Sequence, residues 1–386
     1  MRGRHQGSCD AHANDPFMIV AIPRERLEKE RRVALVPDVV TRMIKSGAQL
    51  RVQRGAGVRA GFPDEVYERA GATLFDDARS LVEGADAVIV VGRPSDDVLA
   101  AMRKDALLVG LLAPLGDSAY VQTLAKTGIT AIAMELIPRI TRAQAMDVLS
   151  SQSNIAGYKA ILNAAAALPK FFPMLTTAAG TIAPAKVFII GAGVAGLQAI
   201  ATARRLGAVV TAYDARAVVA EQVKSLGAQF AQIDLGGDAE GAGGYAKELT
   251  AEQIAIQQEG IAKYLASSDV CVTTALVPGR PAPRLITAAA VAGMKPGSVI
   301  VDLAAEAGGN CELTKMDEIV TSSNGVRVDG TTNLPSTVPL HASQLYARNI
   351  VTLLESLTKD GAFVVNRETD EIAKGACICM NGEAFQ

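Results

Sequence analysis

The feature that most constrains this chain is a glycine pattern, G-x-G-x-x-G, that directly follows a short apolar run. The pattern comprises Gly191, Gly193 and Gly196, and residues 187–190 before it read Val-Phe-Ile-Ile. A helix-compatible stretch follows at 197–206, and Asp214 closes a second apolar run at 208–213. A strand, a glycine turn, a helix and a second strand ending in a carboxylate predict a dinucleotide-binding βαβ unit. The alternative is a strand-to-helix turn in another kind of doubly wound protein.

Each glycine has a geometric task in such a unit. Gly191 permits the tight turn, Gly193 lets the backbone approach a pyrophosphate, and Gly196 lets the helix pack close to its strand. The backbone amides of Val194 and Ala195 would then face the phosphates at the positive end of the helix.

Asp214 is expected to accept hydrogen bonds from both hydroxyls of an adenosine ribose. Its charge would repel a 2′-phosphate, which favours NAD over NADP. Ala215 and Arg216 come next in the chain and complete the expected ribose-binding corner. Arg216 weakens the preference for NAD, since an arginine in this region can accompany NADP. A solvated surface charge is an equally good interpretation of Arg216.

Composition indicates an ordinary globular protein large enough for two domains, with 386 residues, 49% hydrophobic and 20% charged. A net charge of −2 gives no reason to expect nucleic acid as a partner. No membrane span and no signal peptide are expected. Residues 1–17 are interpreted as a flexible leader, with Met18 as a plausible natural start.

Cysteine and histidine usage favours a reduced protein without a metal site. The five cysteines lack the spacing of a disulfide framework. Cys377 and Cys379 alternate along a predicted strand, so both are expected on one face. Two of the three histidines lie in the leader and His341 stands alone, so we expect no metal.

Alternating strand and helix patterns predict an α/β protein with two Rossmann-like doubly wound domains, separated by a cleft and joined by long helices. The first domain is expected to comprise residues 18–145 plus 346–386 and carries no glycine fingerprint. The NAD-binding domain is expected at 146–345. Long helices are predicted at 143–167 and 345–357. Residues 236–244 hold six glycines, which predicts a mobile lid or a plain surface linker.

Residues 139–158 read RITRAQAMDVLSSQSNIAGY and follow Met-Glu-Leu-Ile-Pro at 134–138. This stretch resembles the NAD(H)-binding component of the proton-translocating NAD(P) transhydrogenase family. The segments at 191–199, 243–248, 273–279 and 300–311 support the resemblance, which runs from about residue 18 to the end of the chain.

The resemblance implies a homodimer that binds NAD(H) and docks an NADP(H)-binding domain of a membrane partner. Hydride would pass directly between the two nicotinamides, and an integral-membrane proton-channel subunit would couple that transfer to proton movement. The chain would be cytoplasmic, attached peripherally to the inner membrane through its partner subunits.

The resemblance also assigns roles to residues before the predicted long helix. Arg139 would hold the nicotinamide carboxamide, and Gln144 would reach across to the partner dinucleotide. Asp147 and Ser150 would anchor the loop and the bound ring. Further cofactor contacts are expected from this loop: Ile140 and Arg142. The residues alone also allow a simple helix N-terminus, with Thr141 as its cap.

Three more cofactor contacts are implied elsewhere in the chain. Gly244 and Tyr245 match the family's mobile loop, which closes over NAD(H). Leu276 follows a predicted strand at 270–274, where its backbone would line the nucleotide cleft.

Alanine dehydrogenase shares this architecture and is the main alternative enzyme. Oxidising an amine releases a proton as well as a hydride, so a base is required. The dehydrogenase pattern V-K-E-P is replaced here by V-G-R-P at 91–94, and L-H-L-A by L-L-A-P at 111–114. Its carboxylate-binding arginine is retained as Arg32. A non-catalytic NAD-binding module is the alternative from another functional class.

Overall fold

The structure is a computed structural model that describes residues 18–236, 249–277 and 279–385. Two mostly parallel sheets form its framework, as the α/β pattern predicts. Each sheet separates two apolar clusters of buried residues, one on each face. Strands buried on both faces read as nearly continuous apolar runs, which explains why these segments were recognisable.

Within the described residues the first sheet has eight strands, in the order β19-β18-β6-β5-β4-β1-β2-β3. These strands are β1 (Met18–Ile22), β2 (Ala48–Gln53), β3 (Thr73–Phe75), β4 (Ala87–Ile89), β5 (Leu107–Gly110), β6 (Thr130–Ala133), β18 (Cys377–Met380) and β19 (Glu383–Ala384). The order reverses at β1, between β4 and β2. Strand β18 runs antiparallel to β6, so the end of the chain extends the first sheet.

The second sheet of the described chain has seven strands, in the order β11-β10-β9-β12-β13-β15-β14. These are β9 (Lys186–Ile190), β10 (Val209–Tyr213), β11 (Gln229–Phe230), β12 (Val270–Thr273), β13 (Val299–Asp302), β14 (Ile319–Thr321) and β15 (Arg327–Asp329). Two hairpins lie outside both sheets, one formed by β7 (Leu175–Thr177) and β8 (Gly180–Ile182), the other by β16 (Thr358–Lys359) and β17 (Ala362–Phe363).

Helices connect these strands. They are α1 (Pro37–Lys45), α2 (Asp64–Arg69), α3 (Ala78–Val82), α4 (Asp96–Ala101), α5 (Ser118–Thr127), α6 (Val148–Ala167), α7 (Val194–Arg205), α8 (Ala220–Ser225), α9 (Ala251–Ser267), α10 (Ala288–Ala292), α11 (Pro339–Leu357) and α12 (Glu371–Ala376). Helix α11 begins six residues before the predicted start, because Pro339 at its first turn already has the φ that a helix needs.

The long helix predicted at 143–167 begins later, at Val148. Residues Thr141–Met146 form a separate 3-10 helix, and Asp147 between the two is extended, with φ −73° and ψ 90°. The Asp147 carboxylate accepts a hydrogen bond from the backbone N–H of Ser150 and so caps α6. The expected Thr141 cap is therefore wrong, since the residue before that 3-10 helix is Ile140 and makes no side-chain cap.

The two cysteines of β18 do not share a face, contrary to expectation. The pairing with β6 shifts by one residue between Cys377 and Cys379, which is a β-bulge. Cys377 packs with the cluster on one face of the sheet, whereas Cys379 joins Ile378 in the cluster on the other. A paired redox or metal role for these two thiols has no geometric support.

Helix α6 lies directly against α7. A Cβ placed on Gly157 would stand 2.0 Å from the carbonyl oxygen of Ala195, so only glycine permits this approach. Because Ala195 lies in the first turn of α7, the contact fixes the start of that helix against the middle of α6. The limits predicted for the two domains remain a prediction, but α6 and α11 do run between the regions of the two sheets.

Replacing Gly157 by Ala tests this packing. Alanine is favoured over glycine by roughly 1 kcal/mol in a helix interior, yet the clash with the backbone of α7 should lower the free energy of unfolding by about 1–3 kcal/mol. Urea unfolding measures the change. The matched control is Gly293→Ala, whose new Cβ would meet its nearest atom at 3.5 Å. Equal stabilities of the two variants would contradict the packing argument.

Candidate functional site

The glycine turn lies between β9 and α7 and has the tight geometry that the sequence predicts. Gly191 has φ +95°, and a Cβ there would stand 2.3 Å from the Thr274 hydroxyl. A Cβ on Gly196 would stand 1.8 Å from the Gly191 carbonyl oxygen and 3.6 Å from Ile189 of the strand. Both positions therefore require glycine for steric reasons.

Gly193 differs from the other two glycines because it faces open space. A Cβ there would meet no described atom within 4 Å. Gly193 precedes α7, which has no side-chain cap, so the first amides of the helix, from Val194 onwards, are open to an external acceptor. An uncapped helix N-terminus beside an open glycine is suited to an anionic group such as a diphosphate.

Asp214 lies directly after β10, next to this turn. Its Oδ2 accepts a hydrogen bond from the Ala192 backbone at 2.8 Å, which fastens the carboxylate to the glycine turn. Its side chain is only 7% exposed. The carboxylate is therefore placed at the edge of the open space in front of Gly193, as expected for a ribose-binding group.

Arg216 folds back onto the same carboxylate. Its backbone N–H and Nε donate to Oδ1, both at 2.9 Å, and Nη2 donates to Oδ2 at 2.8 Å. A carboxylate has about four lone-pair positions, and these three donors together with Ala192 match that number. A ribose could bind Asp214 only if the Arg216 side chain moved away, a coupling that the sequence did not reveal. Ala215 forms the bend between the two residues.

Leu276 lies three residues beyond β12 and is exposed, whereas its loop is held from beneath by Asn310. The Asn310 amide accepts from the Ala275 backbone N–H at 3.0 Å and donates to the carbonyls of Ala275 and Pro283. Asn310 is completely buried. It positions this edge of the site, and the sequence analysis did not single it out because its partners are distant in the chain.

The segment that contains Arg139, Gln144, Asp147 and Ser150 is compact and anchored. Arg139 and Gln144 are exposed, whereas Asp147 and Ser150 are bonded to each other, with the Ser150 hydroxyl 2.6 Å from Asp147 Oδ2. Ile140 is half-buried against the apolar cluster of the first domain. The exposed and the anchoring residues therefore divide as the assigned roles require.

Two further contacts hold this segment in place. The Asn349 side chain, on α11, donates to the Ala145 carbonyl at 2.8 Å and accepts from Ser151 at 2.8 Å. The Arg142 guanidinium forms an ion pair with Asp370, which precedes α12. Arg142 is thus tied to the end of the chain rather than extended freely toward a cofactor. Asn349 was not identified from sequence.

A cavity of about 340 Å³ separates the two sheets. Leu111, Leu303 and Thr331 line it, and each follows a strand: β5, β13 and β15 respectively. Ala156 also lines it, on α6 immediately before the contact with α7. The cavity thus lies at the carboxyl ends of strands from both sheets, which is where ligands bind in open α/β folds.

Arg32 borders this cavity, but its guanidinium is engaged by protein groups. Nε and Nη2 donate to the two carboxylate oxygens of Glu30 at 2.8 and 2.7 Å, and Nη1 donates to Gln152 at 2.8 Å. Nη2 also reaches Asn333 at 3.2 Å. Burial opposes ionisation of Glu30, but the hydrogen bonds and charge of Arg32 outweigh burial and hold the pKa of Glu30 below its ordinary value. Arg32 is therefore already paired and poorly placed to clamp a substrate carboxylate.

At the two positions where alanine dehydrogenase has lysine and histidine, this chain offers only backbone N–H groups. Gly92 donates to Glu25 at 3.0 Å, and Leu112 donates to Glu135 at 3.3 Å. Burial raises the pKa of both carboxyls, that of Glu25 to about 7. Neither position supplies an ammonium or imidazole group next to the cleft.

Gly244, Tyr245 and most of the glycine-rich stretch 236–244 lie outside the described residues, as does the leader 1–17. No helix in 18–236, 249–277 or 279–385 has both the length and the apolar character needed to cross a membrane. Over the same ranges, no group of three or more His, Cys, Asp or Glu side chains is arranged to hold a metal ion.

Comparison with known proteins gives matches over almost the whole chain. The family model described as alanine dehydrogenase/PNT, N-terminal domain, matches residues 21–156, and its C-terminal counterpart matches 160–386. An NAD(P) transhydrogenase subunit alpha of Rhodospirillum rubrum is 48% identical over 373 residues, which are 95% of this chain and 97% of that protein.

Two other relatives show the range of the similarity. The crystal structure of a transhydrogenase from Sinorhizobium meliloti has a TM-score of 0.86 and 43% identity, and the match covers 95% of this chain and 100% of that one. The alanine dehydrogenase of Bacillus subtilis is 32% identical, with 83% of this chain and 81% of that protein covered.

The raised pKa of Glu25 predicts a pH dependence of stability. The folded state holds this proton up to about pH 7, whereas the unfolded state loses it near 4.5. The stabilisation is therefore complete below the unfolded pKa and is lost as pH rises through 7, a change of ~2–3 kcal/mol between pH 5 and pH 8. Glu25→Gln should abolish this part of the decline, as measured by urea unfolding at both pH values.

Glu28→Gln is the control, because Glu28 is an exposed carboxylate on the same segment. Its stability profile should run parallel to that of the wild type. A Glu25→Gln profile that is also parallel to the wild type would show that Glu25 does not retain its proton in the folded state.

Proposed function

The chain belongs to the alanine dehydrogenase/PNT family, with the NAD(P) transhydrogenase alpha subunits, and from this membership we propose its role. It binds NAD(H) and exchanges hydride directly with NADP(H) held by a partner domain, and a membrane partner couples this exchange to proton translocation. The observation that carries the proposal is the open start of α7. It faces the cleft between the two sheets and is fixed by α6 to the segment that holds Arg139 and Gln144.

The residues at the glycine turn fit a dinucleotide. Gly191, Gly193 and Gly196 shape the turn, and the amides of Val194 and Ala195 bind the diphosphate at the positive end of α7. Asp214 binds the adenosine ribose once Arg216 has moved aside, with Ala215 as the pivot between them. A 2′-phosphate would meet the Asp214 charge, so NAD(H) is the cofactor of this chain and NADP(H) belongs to the partner.

The segment before α6 orients the nicotinamide. Arg139 binds the carboxamide, supported by Ile140 and Arg142, and Gln144 extends toward the partner's dinucleotide. The hydrogen bonds between Asp147 and Ser150 keep the segment in one conformation.

Gly244 and Tyr245 would close over the bound cofactor, and the exposed loop at Leu276 would line its cleft. Closing that cleft excludes water from the transfer.

When bound, NADH supplies the hydride. Transfer to a second nicotinamide requires no nucleophile and no proton, so the protein has to hold two rings at reacting distance. The chemistry of the cleft agrees with this requirement. Gly92 and Leu112 provide no base, and Arg32 is occupied by Glu30. These contacts argue against oxidation of an amino acid, although alanine dehydrogenase is a relative.

We also propose the assembly that the subunit name of the relatives implies. Two copies form a homodimer, supported by exposed apolar side chains next to and on the β7–β8 hairpin: Phe171, Met174 and Ile182 are 55%, 63% and 44% exposed. An NADP(H)-binding domain and an integral-membrane subunit complete the complex. The chain would then lie in the cytoplasm, held peripherally at the inner membrane by those partners.

Hydride exchange between NADH and an NADP analogue, with a purified NADP(H)-binding partner, tests the function. Gln144→Asn shortens the side chain and should slow exchange by ~10-fold, because reacting rings tolerate little misplacement. NADH affinity should stay within about twofold, since this contact lies across the interface.

Gln122→Asn on exposed α5 is the matched control and should exchange at the wild-type rate. Tight NADH binding without exchange in the wild type would favour a non-catalytic NAD-binding module. Oxidation of L-alanine by the isolated chain would favour a dehydrogenase. Collapse of NADH binding in Gln144→Asn would contradict the role proposed for that residue.

The ribose contact can be isolated by a thermodynamic cycle. Wild-type protein should bind NADH more tightly than 2′-deoxy-NADH, because Asp214 accepts from the 2′-hydroxyl. Asp214→Asn should weaken NADH binding by ~10-fold and should reduce the preference for the hydroxyl. Calorimetry on both proteins with both ligands measures the coupling. An unchanged preference in the variant would remove Asp214 from the ribose site.

A further inference from the structure

The first sheet contains a second cavity that the proposed function does not use. It has a volume of about 610 Å³ and is lined from the segment after β1, the end of β2 and the loop after β4. Strand order reverses at β1, between β4 and β2. The crevice outside the carboxyl ends of strands at such a reversal is where open α/β sheets bind ligands, and the volume is in the range of small-molecule sites.

Two arginines at this cavity have no charged partner. Arg24 and Arg26 both line it and are exposed, and across 18–236, 249–277 and 279–385 neither forms an ion pair. The Arg24 backbone is fixed by its N–H, which donates to the Gln53 side chain at 2.8 Å. The two guanidinium groups are thus presented from an anchored segment with their donors available.

Two more arginines border the same space but are held by the protein. Arg59 donates to the backbone carbonyls of Glu28 and Glu25 at 2.8 and 3.0 Å, which pins the segment that carries Arg24 and Arg26. Carbonyl groups leave its positive charge uncompensated. Arg93 forms an ion pair with Asp117 at 2.7 Å, so its charge is balanced.

Negative charge in the cavity is limited to Glu25 and Glu28. The Glu25 carboxylate is turned inward, where it accepts from the N–H groups of Val91 and Gly92. Burial raises its pKa to about 7, which further reduces its negative charge near neutral pH. Arg24, Arg26 and Arg59 therefore give the mouth of the cavity a positive potential.

The remaining wall is apolar, with Val58, Val90 and Val98 among its lining residues. We propose that this cavity binds a small organic anion, whose phosphate or carboxylate group pairs with Arg24 and Arg26 and whose apolar body lies against these valines. It shares no residue with the proposed NAD(H) site, so the two proposals can fail separately.

Calorimetry at low ionic strength, on the full chain, tests this site with four probes: phenyl phosphate, benzoate, inorganic phosphate and benzyl alcohol. Titrations are made with and without excess NADH, which keeps phosphate groups away from the start of α7. We expect phenyl phosphate and benzoate to bind at one site, each at least tenfold more tightly than inorganic phosphate or benzyl alcohol. Which of the two anions binds more tightly distinguishes a phosphate from a carboxylate ligand.

The double variant Arg24→Gln/Arg26→Gln should weaken binding of both organic anions at least tenfold and leave NADH affinity unchanged. Arg205→Gln/Arg348→Gln removes the same charge from exposed positions outside the cavity and should change affinity less than twofold. Absence of binding to the wild type, equal losses in the two double variants, or equally tight binding of benzyl alcohol would overturn the proposal.

Discussion

The contact between Gly157 and the Ala195 carbonyl is the constraint on which the arrangement of the candidate site depends. It sets the start of α7, where the open amides lie, against the middle of α6. The capped start of α6 carries the Arg139–Ser150 segment, which Asn349 ties to α11. The phosphate-binding end and the nicotinamide-binding end of the proposed site are therefore parts of one packed unit, and neither could move without the other.

Local sequence patterns were sufficient for most of the framework. Buried parallel strands are continuous apolar runs, and the glycine spacing encodes steric demands that the structure confirms at Gly191 and Gly196. The start of α6 was missed because helix propensity continues through residues 143–147, whereas the Asp147 side chain ends the continuity by capping. The opposite faces of Cys377 and Cys379 were missed because a bulge depends on the pairing strand, which sequence alternation does not contain.

Site residues differ in how far sequence could reveal them. A motif identifies Asp214, but only coordinates show that Arg216 already occupies its carboxylate. Asn310 and Asn349 position loops through hydrogen bonds to distant segments, so no local pattern marks them. Arg32 illustrates the converse, since a residue shared with alanine dehydrogenases is engaged here by Glu30 and Gln152. Similar residues thus support different chemistry according to their partners.

The most direct test of the account is a crystal structure of the chain with NADH. The account predicts the diphosphate at the Val194 and Ala195 amides, Arg216 displaced from Asp214 by the ribose, and the reduced ring in the cleft next to Arg139. One face of that ring should remain open toward Gln144 for the second dinucleotide. A ring bound away from the Arg139–Ser150 segment, or a diphosphate away from the start of α7, would contradict the account.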